Sequence, residues 1–296
     1  MKTVNTLLLS AVLWISTLII PSTLCAQENR HFLTLESGAL RIDTINTIDS
    51  ITIQDGQFML AFTNGNTHSE SINQMDRMFF GDCQTGLFNE SVTYGTVTDI
   101  DGNTYRTVQI GNTTWMAENL RATHYSNGDA LVNAVSDSDW SNTYNGAWCS
   151  LVNDNNYDCP YGKLYNGYAA QDDRNVCPTG WHVAANSDWD NLLLTADPNA
   201  SLGYFPQNAS DIAGGVLKSV GNLFWMANTT GSNDLGFSAV GAADRSTSFG
   251  YIDNFQDISG FWTGSGQLIY LFGYGSHVWK SFNSNNYGLS IRCVED

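Results

Sequence analysis

The chain has 296 residues and carries 12 basic against 29 acidic side chains, a formal charge of −17. So acidic a chain repels phosphate backbones and anionic lipid, which excludes nucleic acid as a partner on electrostatic grounds. Aromatic residues make up 12% and charged residues only 14%, against about 25% charged in an ordinary soluble domain; this excludes a disordered chain and favours a β-rich, loop-heavy fold.

Residues 1–26 read as a signal peptide. Lys2 precedes an apolar stretch from Leu7 to Ile20, and Ala26 offers a small residue for cleavage. Lipoprotein anchoring at Cys25 is the alternative, disfavoured by the bulky Leu24 before it. The apolar run is short for a membrane span and none of comparable length follows, so no transmembrane segment is expected after cleavage. The expectation is an exported protein, extracellular or on the outer cell surface. In that setting Cys83, Cys149, Cys159, Cys177 and Cys293 read first as disulfide partners, with one left over.

Residues 28–82 form a small β-rich module. INTIDSITI (45–53) and INQMDRMFF (72–80) echo each other at a 27-residue offset, aligning Asp49 with Asp76. Each copy is expected to open a strand, with the aspartates capping turns. Phe58, Leu60 and Phe62 alternate before an Asn64-Gly65 hairpin signal. The "IDSI" phrase resembles short leader modules of secreted Bacteroidota proteins. Residues 83–96 show no periodicity and are expected to be a linker.

The region 97–296 opens with a hairpin. Asp101-Gly102 turns the chain, Tyr105, Val108 and Ile110 populate a strand, and Gly111-Asn112 returns it to Trp115 and Met116. Residues 126–160 are polar and expected to be long loops. In CPTGWHVAANSDWDNLL (177–193), Pro178 to Gly180 make a turn and Trp181 and Val183 enter a short buried strand. Asn186 or Ser187 then caps a helix whose inward face carries Trp189, Leu192 and Leu193. A second helix is expected near 210–220, with Ile212, Val216 and Leu217 inward and Gly214 and Gly215 weakening it. At the end, Leu289, Ile291 and Cys293 alternate with Ser290 and Arg292 in a last strand.

The blocks DIDGNTYRTVQIGNTTWMAENLR, YGKLYNGYAA, CPTGWHVAANSDWDNLL, GGVLKS, NDLGFSAVGAADR, GFWTGS and LSIRCVED follow one another in the order found in the Fibrobacter succinogenes major paralogous domain, which residues 97–296 therefore resemble. That family is similar in fold to C-type-lectin-like and formylglycine-generating-enzyme-like domains and is found in exported proteins of Bacteroidota and Fibrobacterota. The resemblance implies an α+β class: a C-type-lectin-like mixed fold with few short helices and irregular strands, preceded by the small β-module. It also offers Cys293 as the partner of Cys177, in the manner of the long-range terminal bridge of lectin-like folds. Ala184, Gly167, Gly241 and Ala243 depart from the family pattern; Gly241 and Ala243 stand for the usual Pro and Gly before Arg245.

Cys177 and His182 are close enough in sequence to suggest a reactive thiol, but export favours the structural disulfide. Cys149 and Cys159, ten apart on a polar loop, suit a loop-closing disulfide; they lack the close spacing that oxidation chemistry uses in the formylglycine-generating relatives. Cys83 is then free or intermolecular. NDNNYD (153–158) has oxygen ligands but lacks the Gly and distal Glu of a calcium loop, and the histidines show no metal-ligand spacing. GFSAV is not a nucleophile elbow. No metal, cofactor or catalytic residue is expected, and the reading leans against an enzyme. What remains is the aromatic run 261–282, read either as core or as a ligand platform. Trp262, Tyr270, Tyr274 and Trp279, together with Arg245, are the ligand-binding candidates, and Tyr270, Phe272 and Tyr274 share a face at period two. Two functions are consistent with this: a non-catalytic exported or cell-surface binding module for glycan or protein ligands, and a structural or assembly component of the cell envelope with an envelope protein as partner.

Overall fold

The computed structural model describes residues 30–296 except 36–39, 45–47, 55–56, 72–74, 82–83, 85, 204–205, 227–229 and 247–251. The expected signal peptide, the anchoring choice at Cys25 and the role of Cys83 lie outside the described residues. The chain divides into two compact units, Met1–Thr85 and Gly86–Asp296.

In the first unit, Ile48–Gln54, Gln57–Phe62 and Thr67–Ser71 form one three-stranded sheet, and Arg30–Leu35 pairs with both Leu40–Thr44 and Met75–Gly81 in another. The two echoed phrases begin strands at equivalent positions, Ile48 and Met75. The register slips at the repeated aspartate in both: Ile48 and Ser50 face consecutive partners across Asp49, and Met75 and Arg77 do so across Asp76. The aspartates thus mark one-residue bulges. The Asn64-Gly65 turn closes its hairpin with Gly65 at φ +85°, a conformation glycine adopts freely.

The second unit holds two sheets. One is five-stranded, ordered Trp181–Val183, Cys293–Glu295, Thr113–Met116, Thr104–Ile110, Gly95–Thr98. The other, ten-stranded among the described residues, runs Val132–Asn133, Ala147–Ser150, Lys163–Asn166, Gly288–Leu289, Ala242–Arg245, Ile258–Trp262, Gln267–Phe272, Val278–Phe282, Gln207–Ser210, with Ile252–Phe255 branching from Ala242–Arg245. The expected α+β, C-type-lectin-like class is therefore corrected: the chain is mostly β-sheet with a few short helices. Among the described residues only Asn186–Ala196, at 11 residues, exceeds five in a single α-helix. Two segments account for the difference. The polar average of 126–160 conceals the fully buried strand Ala147–Ser150. The expected second helix shrinks to Ala213–Leu217, with Ile212 outside it and 53% exposed.

Within the segment 83–96, expected to be a linker, Leu87 and Phe88 are buried and Phe88 meets Tyr94 edge to face at 5.2 Å. Arg106 lies 4.1 Å over the Phe88 ring, tying this segment to the first hairpin of the unit. The long helix packs as its periodicity requires, with Trp189, Leu192 and Leu193 buried. Its cap differs: Asp188 accepts from the Ala185 N–H at 2.7 Å. Trp189 meets Trp115, Phe237 and Phe261 at ring-centroid distances of 5.1–5.7 Å. Arg292 enters this cluster 4.5 Å over Phe237, fully buried. The expected last strand is split: Gly288–Leu289 joins the large sheet and Cys293–Glu295 the five-stranded one, and Ser290 and Arg292 between them are buried where alternation suggested a wet face. Arg292 can stay charged there because it donates to Asn119 Oδ1 (2.7 Å), Met116 O (3.0 Å), Phe237 O (2.8 Å) and Ser238 O (3.2 Å). Among the described residues no helix is long and apolar enough to cross a membrane.

Candidate functional site

The strands Gln267–Phe272 and Val278–Phe282 pair antiparallel, Tyr270 opposite Trp279 and Leu271 opposite Val278. A period of two divides them into faces. Ile269, Leu271, Val278 and Lys280 point one way, and all are buried. Lys280 Nζ forms an ion pair with Asp190 of the long helix, so that helix covers this face. Leu268, Tyr270, Phe272 and Trp279 point the other way. Burial decays along this second face: Leu268 is dry, Tyr270 and Phe272 are half-buried, Trp279 is 42% exposed, and Tyr274 in the following turn is 64% exposed.

The rings on the wet face form a continuous series. Tyr270 and Phe272 are 6.4 Å apart, Phe272 and Tyr274 5.5 Å, and His277 stacks on Phe272 at 4.5 Å. Tyr270 lies over Gly260 of the next strand, where a Cβ would come within 2.9 Å of its ring. Burial first, then the nearby Asp244 carboxylate, raises the Tyr270 phenol above its ordinary range, so it stays a neutral hydroxyl. On the other flank Asn208 stands opposite Trp279, its Nδ2 donating to Asp211 Oδ1 at 2.6 Å.

The turn carrying Tyr274 and His277 is held from below. Lys218 is fully buried and its Nζ donates to the carbonyls of Phe272 (2.8 Å), Gly273 (3.1 Å) and Gly275 (2.8 Å). Burial pulls its pKa down to about 8. Gly214 N–H donates to Ser276 O at 2.7 Å, and a Cβ on Gly214 would fall 2.7 Å from that same oxygen. The glycine pair therefore serves close backbone approach, which is why the helix it interrupts is short.

Exposed rings on a rigid sheet can stack against the C–H face of a flat ligand, while the tyrosine hydroxyls supply hydrogen bonds. Of the five ligand-binding candidates, the structure brings Tyr270, Tyr274 and Trp279 together at this face. Trp262 and Arg245 are core residues instead. Trp262 is buried and donates Nε1–H to Tyr165 O at 2.9 Å, in space left by Gly167, whose Cβ would come 2.9 Å from the ring. Arg245, also buried, donates to Ala134 O (2.7 Å) and Val135 O (2.9 Å) and lies 4.6 Å over Trp140. Neither can meet a ligand from solvent. Sequence reasoning missed His277, Lys218 and the Gly214-Gly215 cradle; the block GGVLKS held that signal, but its partner lies far along the chain.

The cysteines divide otherwise than expected. Cys177 and Cys293 are joined, with Cα atoms 5.9 Å apart and a sequence separation of 116. Cys149 is a free, buried thiol, raised by burial despite the Arg245 guanidinium beside it. Cys159 is disulfide-bonded, so the expected Cys149–Cys159 bridge is corrected. The strand Ala147–Ser150 buries Cys149 in the large sheet, away from any loop closure. His182 hydrogen-bonds Asp296 Oδ1 (2.7 Å) and Asp188 Oδ2 (3.2 Å), while Cys177 is committed to its disulfide. In the 153–158 loop, Asp158 pairs with Lys163 Nζ at 2.6 Å, a cation already in place. Among the described residues no group of three or more His, Cys, Asp or Glu side chains is gathered as a metal site.

No curated protein and no solved structure matches this chain. Residues 108–295 match the family model described as the Fibrobacter succinogenes major domain. The structural unit reaches further back than the match, since Gly95–Thr98 pairs with Thr104–Ile110 in the same sheet. With well over half of its length matched, and with the ordered blocks inside that match, the chain belongs to the Fibrobacter succinogenes major domain family.

Proposed function

We propose that this chain is an exported or cell-surface binding module without catalytic chemistry, and that its ligand is a glycan held by the wet aromatic face. One observation carries the reading: Tyr270, Phe272, Tyr274 and Trp279 converge on one side of a strand pair whose other side is buried at Ile269, Leu271, Val278 and Lys280 and exposed only at its end, Phe282, while Tyr274 is 64% and Trp279 42% exposed. Rings left in water on a rigid support are costly to keep unless a partner covers them. A pyranose offers the matching chemistry, an apolar C–H face rimmed by hydroxyls. Export is supported by the Cys177–Cys293 disulfide and by the oxidised Cys159, since such bonds persist in oxidising compartments.

A glycan array on the full chain and on Trp279→Ala tests this. The reading expects one sugar class to be retained by the first and lost by the second. Retention of no sugar, with co-purification of envelope proteins, would replace it with the envelope-scaffold reading.

A further inference from the structure

A surface concavity of about 390 Å³, widely open to solvent, lies among the loops around residues 144–146 and 168–174. That volume falls within the roughly 300–1,000 Å³ of small-molecule sites. It is separate from the aromatic face. Its residue Gln171 packs against Gly266, just before the strand Gln267–Phe272, whereas Tyr274 follows the far end of that strand; six residues of strand span roughly 20 Å.

Tyr144 and Tyr168 wall the cleft edge to face, ring centroids 6.2 Å apart, with Tyr144 72% exposed. The rest of the lining is fixed in place. Asn166 Nδ2 donates to Asn145 O (2.8 Å) while its Oδ1 accepts from the N–H groups of Ala147 and Ala169 (both 3.0 Å), locking the two loops together. Gln171 Nε2 donates to Asn285 Oδ1 and Gly167 O, both at 2.9 Å. Arg174 forks onto Asp172 (2.9 and 2.8 Å) and lies 4.0 Å over the Tyr125 ring. Tyr125 is buried and sets its hydroxyl against the lining residue Gly146, where a Cβ would fall 1.8 Å away. That hydroxyl is set behind the lining, near Asp172 and Arg174.

The side-chain amides of Asn145, Gln171 and Asn285 can each donate and accept, and a carboxylate can accept from two neighbouring hydroxyls. Two tyrosine walls with such a rim fit a polyol that has an apolar face. Asp172 and Asp173 outnumber the single guanidinium of Arg174, in a chain of charge −17, which disfavours uronates and other acidic sugars. We infer that this cleft is a saccharide subsite that takes one neutral pyranose ring. The inference rests on the reading of the chain as a glycan binder, though not on the aromatic face as the contact.

The test is an NMR titration with the methyl glycosides of glucose, galactose and mannose, with methyl glucuronide, and with lysine methyl ester. It is run on the full chain, on Tyr144→Ala/Tyr168→Ala, on Asp173→Asn and on Trp279→Ala, each checked for an unchanged thermal transition. At least one neutral glycoside should bind the wild type and Trp279→Ala alike, and the double variant should weaken it about tenfold or more. Asp173→Asn, which alters only an exposed carboxylate, should weaken it less. Binding of no neutral glycoside, equal binding to a folded double variant, or preference for the glucuronide or the lysine ester would overturn the inference. If the array signal vanishes in Trp279→Ala while the cleft stays silent, only the cleft assignment fails. If it vanishes only in the double variant, the aromatic face fails instead.

Discussion

The two faces of the pair Gln267–Phe272 and Val278–Phe282 differ in almost every physical respect while sharing one backbone. On one, Ile269, Leu271 and Val278 are dry and the long helix seals them, the ammonium of Lys280 meeting Asp190. On the other, rings are stacked on each other and the outermost stay wet. Residues one apart in sequence thus stand in different surroundings, dry on one side and, on the proposed reading, available for recognition on the other. Aromatic content alone therefore does not separate a covered ring from a wet one: Trp262 and Trp279 lie in the same sheet, and the neighbouring strand and loop decide which is covered.

Substitutions can break this contrast from either side. The largest effect is expected from the staple that closes the dry interior. Cys177→Ser should cost about 4–5 kcal/mol in the chain-entropy treatment of a loop of about a hundred residues, seen as a large drop in denaturation midpoint. Next comes Leu271→Ala, which deletes a fully buried side chain of the inner face and should cost about 2–5 kcal/mol in urea denaturation.

Lys218→Met strips three carbonyls of their donor and should cost about 1–3 kcal/mol. It also loosens the turn bearing Tyr274 and His277, so it blurs the contrast by lowering stability and binding together. A pH signature identifies it. The folded-state pKa of Lys218 is about 8 and its ordinary value 10.5, so between them the unfolded chain binds the extra proton and stability rises with pH. Between pH 8 and about 9.5, below the tyrosine range, the urea midpoint of the wild type should rise relative to that of Lys218→Met at the same pH, a difference that cancels the opposite contribution of the buried Cys149 thiol common to both. The smallest expected effect has the opposite sign. Ala243 is buried at φ +64°, a left-handed conformation that costs a non-glycine residue about 1–2 kcal/mol. Ala243→Gly should therefore stabilise the dry sheet by about 1 kcal/mol, read as a raised melting temperature with binding unchanged.

How much of this the sequence disclosed depends on the range of the interaction. Turns and periodicity are local, so the hairpins at Asn64-Gly65 and Gly111, the strand Trp181–Val183 and the inward face of the long helix could be read directly. The shared face of Tyr270, Phe272 and Tyr274 could be read the same way. Long-range pairing could not. Nothing local to Arg292 announces acceptors at Met116, Asn119, Phe237 and Ser238. The same holds for Lys218, whose acceptors lie more than fifty residues on, and for Cys149, which a polar neighbourhood disguised as a loop residue. Arg245 and Trp262 were misread because a charged or amphipathic side chain is assumed wet until its buried partners are known.

If the wet rings bind and their dry neighbours hold the fold, two adjacent residues should separate these roles. Val278 is buried and Trp279 is 42% exposed. Calorimetric titration of Val278→Ala and Trp279→Ala with the glycan retained on the array, each paired with its thermal transition, separates the roles. Val278→Ala should lower the melting temperature with unchanged affinity, and Trp279→Ala should leave the melting temperature unchanged with affinity lost. Full affinity in a folded Trp279→Ala would contradict that division of roles.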